Sequence, residues 1–539
     1  MTMTDVLLIQ PPIEDFYLTA KRTVPYGLAC LAGALRAGGL EVKILDGLAS
    51  SRARVLPWPA EMEPLRPHYG REDRTPFALF HRYRRFGLDV EQIGRAAAAE
   101  GARLVGIASL FTAYSEVALR TAEAVKRHDP ACAVVLGGHH ATALPGQVMT
   151  HPAVDFVIRG EGELALAGLA RALREGTEPA GIPGLVRRRP GGQLEIPAPC
   201  HVDHLDHLPP PATDLIEQRH YRHGDRVRAV VVTSRGCPLR CSYCAVGAGS
   251  GLPYRRRSVA SVLAEIERQI GPHAAFIDFE DENLALERGW LAELMVELAK
   301  RSQDLELRAM NGLLPHTLDR ELVGLMKRAG FRTLNLSLGS SDADQLHRFR
   351  RPDERRAFDE ALATAEELGL DAVGYVIAAA PGQDPRRSVD DLLFLARRRV
   401  LPALSIYYPA PGSEDFSRCA VAGLLPPSPT LYRSTALPVE DRTTREQAVT
   451  LLRLARILGF LKGELDAGRG LPPPAPPQGS LVALDRVALG RSLVGAFLHD
   501  GRIRGLTPAG ELYVHPACDE LCRAFVEGLG RIEVRGSRR

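Results

Sequence analysis

Apolar positions in the first 190 residues fall into short runs separated by amphipathic stretches. Val6 to Ile9 is one run and Glu41 to Leu45 is another. Between them, Gly27 to Ala37 carries helical spacing and stops at Gly38-Gly39. Strand, helix and strand with glycine stops predict a βαβ unit. After an interruption the alternation resumes. Leu104 to Ser109, Ala133 to Leu136 and Phe156 to Arg159 read as strands. Asp89 to Glu100, Ser115 to His128 and Glu163 to Glu175 read as helices, with a short one starting at Gln147 to Met149. The pattern predicts an α/β fold with a doubly wound parallel sheet of about five strands. Such sheets bind ligands at the carboxyl ends of their strands. Those ends are Gln10 to Pro12, Ser109 to Thr112, Gly137 to His140 and Gly160 to Gly162.

Residues 51–100 break the alternation, are rich in arginine and hold Trp58, so they read as an insertion. Residues 191–225 carry Pro197, Pro199 and Pro209 to Pro211, which predicts a linker. A second alternating region spans 226–429. Its strands are Val227 to Thr233, Ala275 to Phe279, Glu306 to Ala309, Thr333 to Leu338, Ala372 to Ala378 and Ala403 to Tyr407. Helices lie between them, including Ser258 to Ile270, Gly289 to Lys300 and Phe358 to Leu368. Six repeats predict a partial (β/α)6 barrel of the TIM type. Residues 430–539 read as mostly helical, with Leu471 to Pro477 as a stiff linker and a role in shaping a substrate pocket.

Composition narrows the classes. The chain has 539 residues, 68 Lys plus Arg and 65 Asp plus Glu, for a net charge of +3. That balance excludes a strongly basic nucleic-acid binder, so no nucleic-acid partner is expected. The hydrophobic share of 45% and charged share of 25% exclude global disorder. No long apolar run predicts a membrane span. The first residues, MTMTDVLLIQPP, do not read as a secretion signal, so a cytoplasmic location is expected.

The nine cysteines matter by spacing. Cys237, Cys241 and Cys244 stand at C-x3-C-x2-C directly after an apolar strand. Such a loop can bring three thiolates onto one inorganic centre. A four-iron cubane normally takes four cysteines, so three leave an iron open to a cofactor or substrate. The competing readings are zinc, which usually takes two C-x2-C-like pairs, and three ordinary buried thiols.

With Tyr243 before the last cysteine, this segment resembles the radical S-adenosylmethionine superfamily. The resemblance implies that Cys237, Cys241 and Cys244 hold a [4Fe-4S] cluster. It implies that the open iron takes the amino and carboxylate groups of S-adenosylmethionine, and that one electron cleaves the sulfonium to a 5′-deoxyadenosyl radical. Tyr243 would lie along the adenine. Asp278, Ser337 and Ser340 fall where relatives place cofactor contacts. Gly339 falls where many relatives have a glutamate, a departure from the family pattern.

The N-terminal region resembles the Rossmann-like cobalamin-binding domain found ahead of some of these barrels. The matching stretches are Pro25 to Leu35, Asp46-Gly47, Ser109 to Thr112, Gly137 to Thr142 and Asp155 to Glu163. By this resemblance Tyr26, Gly27, Ser109, Thr112, Gly137, Gly138, His139, Gly160 and Glu161 would contact cobalamin. Glycines at strand ends permit close approach, and Ser109 and Thr112 can hydrogen-bond the ligand. The D-x-H-x-x-G cobalt-ligating motif does not occur, so His139 is expected to bond a nucleotide tail or backbone. No G-x-G-x-x-G follows the first strand, against a dinucleotide site.

The combined resemblance implies a cobalamin-dependent radical S-adenosylmethionine enzyme, foremost a C-methyltransferase. It would act on a small-molecule substrate and take its electron from a flavodoxin- or ferredoxin-like donor. A cyclase or rearrangement enzyme with the same cofactors is the alternative, and a cobalamin or redox sensor is a third. Weaker signals remain. His515, Cys518 and Cys522 read as core packing or a second metal site. His201, His204 and His207 share a spacing of three beside prolines. Arg255 to Arg257 read as a solvated face.

Overall fold

A computed structural model describes residues 4–16, 23–246, 252–301, 304–436, 439, 441–477 and 480–536. The N-terminal sheet has the strand order Leu194–Glu195, Leu185–Arg188, Phe156–Ile158, Ala133–Gly137, Leu104–Ala108, Val6–Gln10, Val42–Asp46. The last five of these are mutually parallel. The two strands after residue 184 pair antiparallel and extend the sheet beyond the five predicted.

The pleat of the first strand divides the core. Leu7 and Ile9 pack with Ile93, Ala118 and Val125 on one face, while Val6 and Leu8 pack with Leu28, Leu35 and Leu166 on the other. Side chains alternate across a strand, so a continuous apolar run serves helices on both faces. Tyr26–Ala37 and Glu163–Glu175 cover one face, and Val90–Glu100 and Ser115–His128 the other.

The second region has six parallel strands in two sheets of three. Val227–Val231, Ala275–Phe279 and Leu305–Arg308 form one, and Thr333–Gly339, Asp371–Ala378 and Leu401–Ile406 the other. The single bridges Leu307↔Phe331 and Leu313↔Leu336 join them. Ala229, Val231, Ile277, Phe279 and Leu307 turn outward into the helix-facing core. The alternate residues Arg228, Asp278 and Arg308 therefore face the concave side. Side-chain caps at Ser258, Asp319 and Asp384 start three of the flanking helices.

The insertion does not stand alone. Ala53–Val55 and Arg84–Phe86 form an antiparallel sheet with Ile13–Asp15. Phe16, Met62, Tyr69 and Phe77 then join one core with Leu451, Leu454, Phe497 and Phe525 of the C-terminal region. That region is built on helices Arg445–Asp466, Arg486–Asp500 and Asp519–Gly528. The proline run packs on the second of these, with Ala475 N–H donating to the Gly495 carbonyl. Among the described residues no helix is long and apolar enough to cross a membrane.

Candidate functional site

The carboxyl edge of the N-terminal sheet carries the first half of the site. Ser109 is buried, and its Oγ has no hydrogen-bond partner. Leaving such a group unpaired costs about 1–3 kcal/mol, so it is poised for an external acceptor or donor. The two residues after it, Leu110 and Phe111, are 42% and 53% exposed. Gly138 has φ +114°, and a Cβ there would lie 2.7 Å from the Ser109 carbonyl oxygen. Only glycine lets these two loops close on each other. His140 is buried with Nδ1 3.2 Å from Thr112 Oγ1, and desolvation pushes its pKa down to about 4. His139 is exposed at the start of the next helix, and partial desolvation of its ring lowers its pKa. An orphaned hydroxyl beside bare apolar side chains fits a large, partly apolar ligand such as cobalamin.

Of the other expected contacts on this edge, Tyr26, Gly160 and Glu161 have protein partners. The Tyr26 hydroxyl donates to Glu265 at 3.0 Å, on a barrel helix. Gly27 is exposed, and a Cβ there would meet no protein atom. Gly160 has φ +82°, but the close approach it permits is to the linker, since a Cβ would sit 2.1 Å from the Cys200 carbonyl oxygen. Gly137 ends its strand with no such crowding. Glu161 pairs with Arg255 at 2.8 Å and Arg235 at 3.3 Å, and accepts from Val202 N–H.

The cysteine loop is the second half. It leaves the first barrel strand through Ser234–Arg235, which pairs antiparallel with Arg255–Arg256. Gly236, at φ +80°, lets the loop turn within 2.5 Å of the Pro253 carbonyl oxygen, measured from a Cβ placed there. Cys241 is buried and Cys237 and Cys244 are half-buried. Burial raises all three thiol pKa values, Cys244 to about 11, and the charges of neighbouring cysteines add to the rise at Cys237 and Cys244. Metal ligation has to displace those protons. Three interacting thiols on one loop form a soft donor set suited to an iron–sulfur cluster.

Ser242 is pinned on three sides. Its N–H donates to the Phe349 carbonyl at 3.0 Å, its Oγ donates to Asp415 at 3.0 Å, and its carbonyl accepts from Asp415 N–H at 2.9 Å. Tyr243 meets Phe349 edge-on at 5.0 Å, and its hydroxyl accepts from Arg351 at 2.8 Å. Burial pushes its pKa up to about 12.

Asp278 was expected at a cofactor. It is fully buried between two guanidinium groups, with Arg228 at 2.8 Å and Arg308 at 2.5 and 2.8 Å. The polar groups beyond the strand end are Asp281, Glu282 and Asn283. Asp281 accepts from Thr233 and Ser234 hydroxyls at 2.6 Å each. Among the described residues Glu282 keeps a buried carboxylate oxygen without a partner, and desolvation raises its pKa to about 7. Glu282 acts electrostatically on Cys237 and Cys244. The signal in the sequence was position: Glu282 and Asn283 follow the last strand residue, Phe279, by three and four places. Ser337 Oγ accepts from Arg351 at 3.2 Å. Ser340 is fully buried and donates to Asp391, whose pKa burial raises to about 7.

The halves are joined by charge. Arg235, two residues before Cys237, pairs with Glu163 at 2.6 Å. Arg255–Glu161 and Arg257–Glu265 are ion pairs at 2.8 and 2.5 Å with little exposure, and Arg256 lies over Trp290 at 4.3 Å. The arginine triplet is thus not a solvated face: Arg255 crosses to the sheet, while Arg256 and Arg257 are held within the barrel. A Cβ on Gly412 would sit 3.7 Å from Ala143 of the sheet and 3.9 Å from Ala245 of the cysteine loop. His515 pairs with Asp73 at 3.0 Å and Cys522 is buried in the helical core, the packing alternative for that cluster.

Residues 81–170 match the B12 binding domain, and residues 231–395 match the radical SAM superfamily. A doubly wound sheet followed by a partial parallel barrel, with these two matches in that order, defines the class: an enzyme of the cobalamin-binding radical S-adenosylmethionine type. The chain carries both of the domains that mark that type, and its cofactors are cobalamin, S-adenosylmethionine and an iron–sulfur cluster. Over 473 residues it is 27% identical to an uncharacterized methyltransferase of Pyrococcus horikoshii, covering 86% of this chain and 94% of that one. Over 252 residues it is 30% identical to the anaerobic magnesium-protoporphyrin IX monomethyl ester cyclase of Rubrivivax gelatinosus, covering 45% and 44%. Its fold matches the radical S-adenosylmethionine methyltransferase TsrM from Kitasatospora setae, solved with cobalamin and a [4Fe-4S] cluster. The TM-score is 0.58 at 20% identity, covering 80% of this chain and 82% of that one.

Proposed function

We propose that this protein is a C-methyltransferase acting on an unactivated carbon of a small molecule. The observation that carries the reading is the clamp, which fastens the cysteine loop to the carboxyl edge of the sheet through Arg235–Glu163 and Arg255–Glu161. One enclosed reaction space then serves both cofactors. Cys237, Cys241 and Cys244 would hold the cluster, and Tyr243 would line the adenine. Ser109 would hydrogen-bond cobalamin while Leu110 and Phe111 cover its apolar surface. His139, Thr112, Gly137 and Gly138 shape the same edge. Ser337 and Ser340 act through Arg351 and Asp391 rather than by direct reach. Residues 1–190, 226–429 and 430–539 divide the work into cobalamin holding, radical generation and substrate shaping. Bound together, the cofactors supply a hydrogen-abstracting radical and a transferable methyl group; the chain's part is to orient them and exclude water.

The family likeness to the cyclase of Rubrivivax gelatinosus supports a second reading, oxidative cyclisation without methyl transfer. Anaerobic turnover with deuterated-methyl S-adenosylmethionine separates the two. A product carrying the labelled methyl is expected. Deoxyadenosine with an unlabelled, rearranged product would overturn the transferase reading. One-electron donor proteins of the flavodoxin or ferredoxin kind are the expected partners.

A further inference from the structure

Arg351 follows the fourth barrel strand and is 9% exposed. Its Nη1 donates to the Tyr243 hydroxyl at 2.8 Å and to Ser337 Oγ at 3.2 Å, and its Nη2 donates to the Ser337 carbonyl at 2.6 Å. All three acceptors are neutral. Arg255, Arg257 and Arg433, also little exposed, each meet a carboxylate. The neighbours Arg350 and Arg355 pair with Glu414 and Asp353, but among the described residues no carboxylate pairs with Arg351. Among the described residues its buried Nε has no acceptor.

The gap lies at Gly339. A Cβ there would sit 3.3 Å from both Cδ and Nε of Arg351, so an acid at this position would meet the guanidinium. Among the described residues glycine leaves the guanidinium with no carboxylate paired directly to it, although Glu354 acts on it electrostatically. A buried, unpaired charge is costly, so a fold that keeps one has an anion to place beside it. The guanidinium reaches the cysteine loop itself, through the Tyr243 hydroxyl at 2.8 Å, one residue before Cys244.

We propose that Arg351 is the built-in counter-charge of the cluster, a positioning residue that holds Tyr243 by its hydroxyl and raises the cluster's reduction potential. The inference rests on the three cysteines being the cluster ligands. Reduction adds one negative charge to the cluster, and a fixed cation in a low-dielectric site stabilises the reduced form more than the oxidised one.

The test is a redox titration of anaerobically reconstituted protein, followed by electron paramagnetic resonance without substrate or S-adenosylmethionine. Wild type, Arg351→Met, Arg351→Lys and Tyr243→Phe are compared, with iron and sulfide counted in each. At the wild-type midpoint, Arg351→Met should lower the reduced-to-oxidised ratio about tenfold, a shift of about 59 mV for a one-electron couple. Arg351→Lys should recover most of it. Tyr243→Phe, which removes the tether but not the charge, should leave the midpoint in place. Loading by the lysine variant but not the methionine variant would also support a charge requirement. A loaded Arg351→Met protein with an unchanged midpoint overturns the inference, as does failure of all three variants to load. Wild type that takes up no iron sinks the cluster reading itself, a separate result.

Discussion

The two carboxyl edges of this molecule solve different problems. The sheet edge is sparsely polar: an orphaned Ser109 hydroxyl, exposed Leu110 and Phe111, and the tight Gly138 turn. The barrel edge is crowded with satisfied charge, from Asp278 between two arginines to Asp281 under Thr233 and Ser234. A large organic cofactor needs room and a few directional contacts, while a small charged cluster needs its surroundings fixed in advance. The comparison teaches that the first site is read from one unpartnered hydroxyl among apolar groups, and the second from the few unpartnered groups, Glu282 and Arg351, set among paired charges.

The largest separation comes from Cys241→Ala. It should abolish iron loading while cobalt uptake stays near wild type, measured as metal per chain after reconstitution. Loss of both would mean the edges fold as one unit. The next test is pH. His140 is neutral in the fold, with a pKa of about 4 against 6.5 when free. Between those values the unfolded chain binds more protons, so stability rises with pH and is lost as pH falls through 6.5, levelling below about 4. The span is worth on the order of 3 kcal/mol. Urea midpoints across this window should flatten in His140→Gln.

Glycine substitutions sharpen the contrast within the sheet edge. Gly138→Ala forces a Cβ against Ser109 and should cost about 1–3 kcal/mol. Gly27→Ala meets no protein atom and should stay within about 0.5 kcal/mol, so any loss of cobalamin affinity in it reports the ligand directly. The smallest effect is expected from Ser109→Ala. Removing a buried unpaired hydroxyl should leave stability unchanged or slightly raised, yet weaken cobalamin by about 1 kcal/mol, roughly fivefold. A drop in the stability of the cobalamin-free protein would show that the hydroxyl serves the fold instead.

Much of the fold was legible because parallel strands buried on both faces write continuous apolar runs. Val6–Gln10, Leu104–Ala108 and Ala275–Phe279 lie within a residue of the runs that predicted them. The strands Ala53–Val55 and Arg84–Phe86 were not, since three residues rich in arginine carry no period. The cysteine loop was legible because its donors are contiguous in sequence. Arg351, Glu282 and Asn283 reach it from separate elements, and no spacing encodes such a meeting. Asp278 shows the converse: an acid at a strand end can balance neighbouring arginines as well as hold a ligand. Tyr26, Gly160 and Glu161 likewise have partners at the joint between domains.

The shared core of the insertion and the C-terminal helices has a consequence for synthesis. His68 and Arg453 touch across 385 residues of chain. At about 5–20 residues per second, a ribosome needs roughly 20 to 75 seconds to emit that interval. For that time the faces of Phe16, Tyr69 and Phe77 that meet residues 445–528 have no cover, so the growing polypeptide exposes an adhesive surface until those helices arrive. Expression yield should therefore depend on chaperone supply and translation speed more than the finished protein's stability suggests.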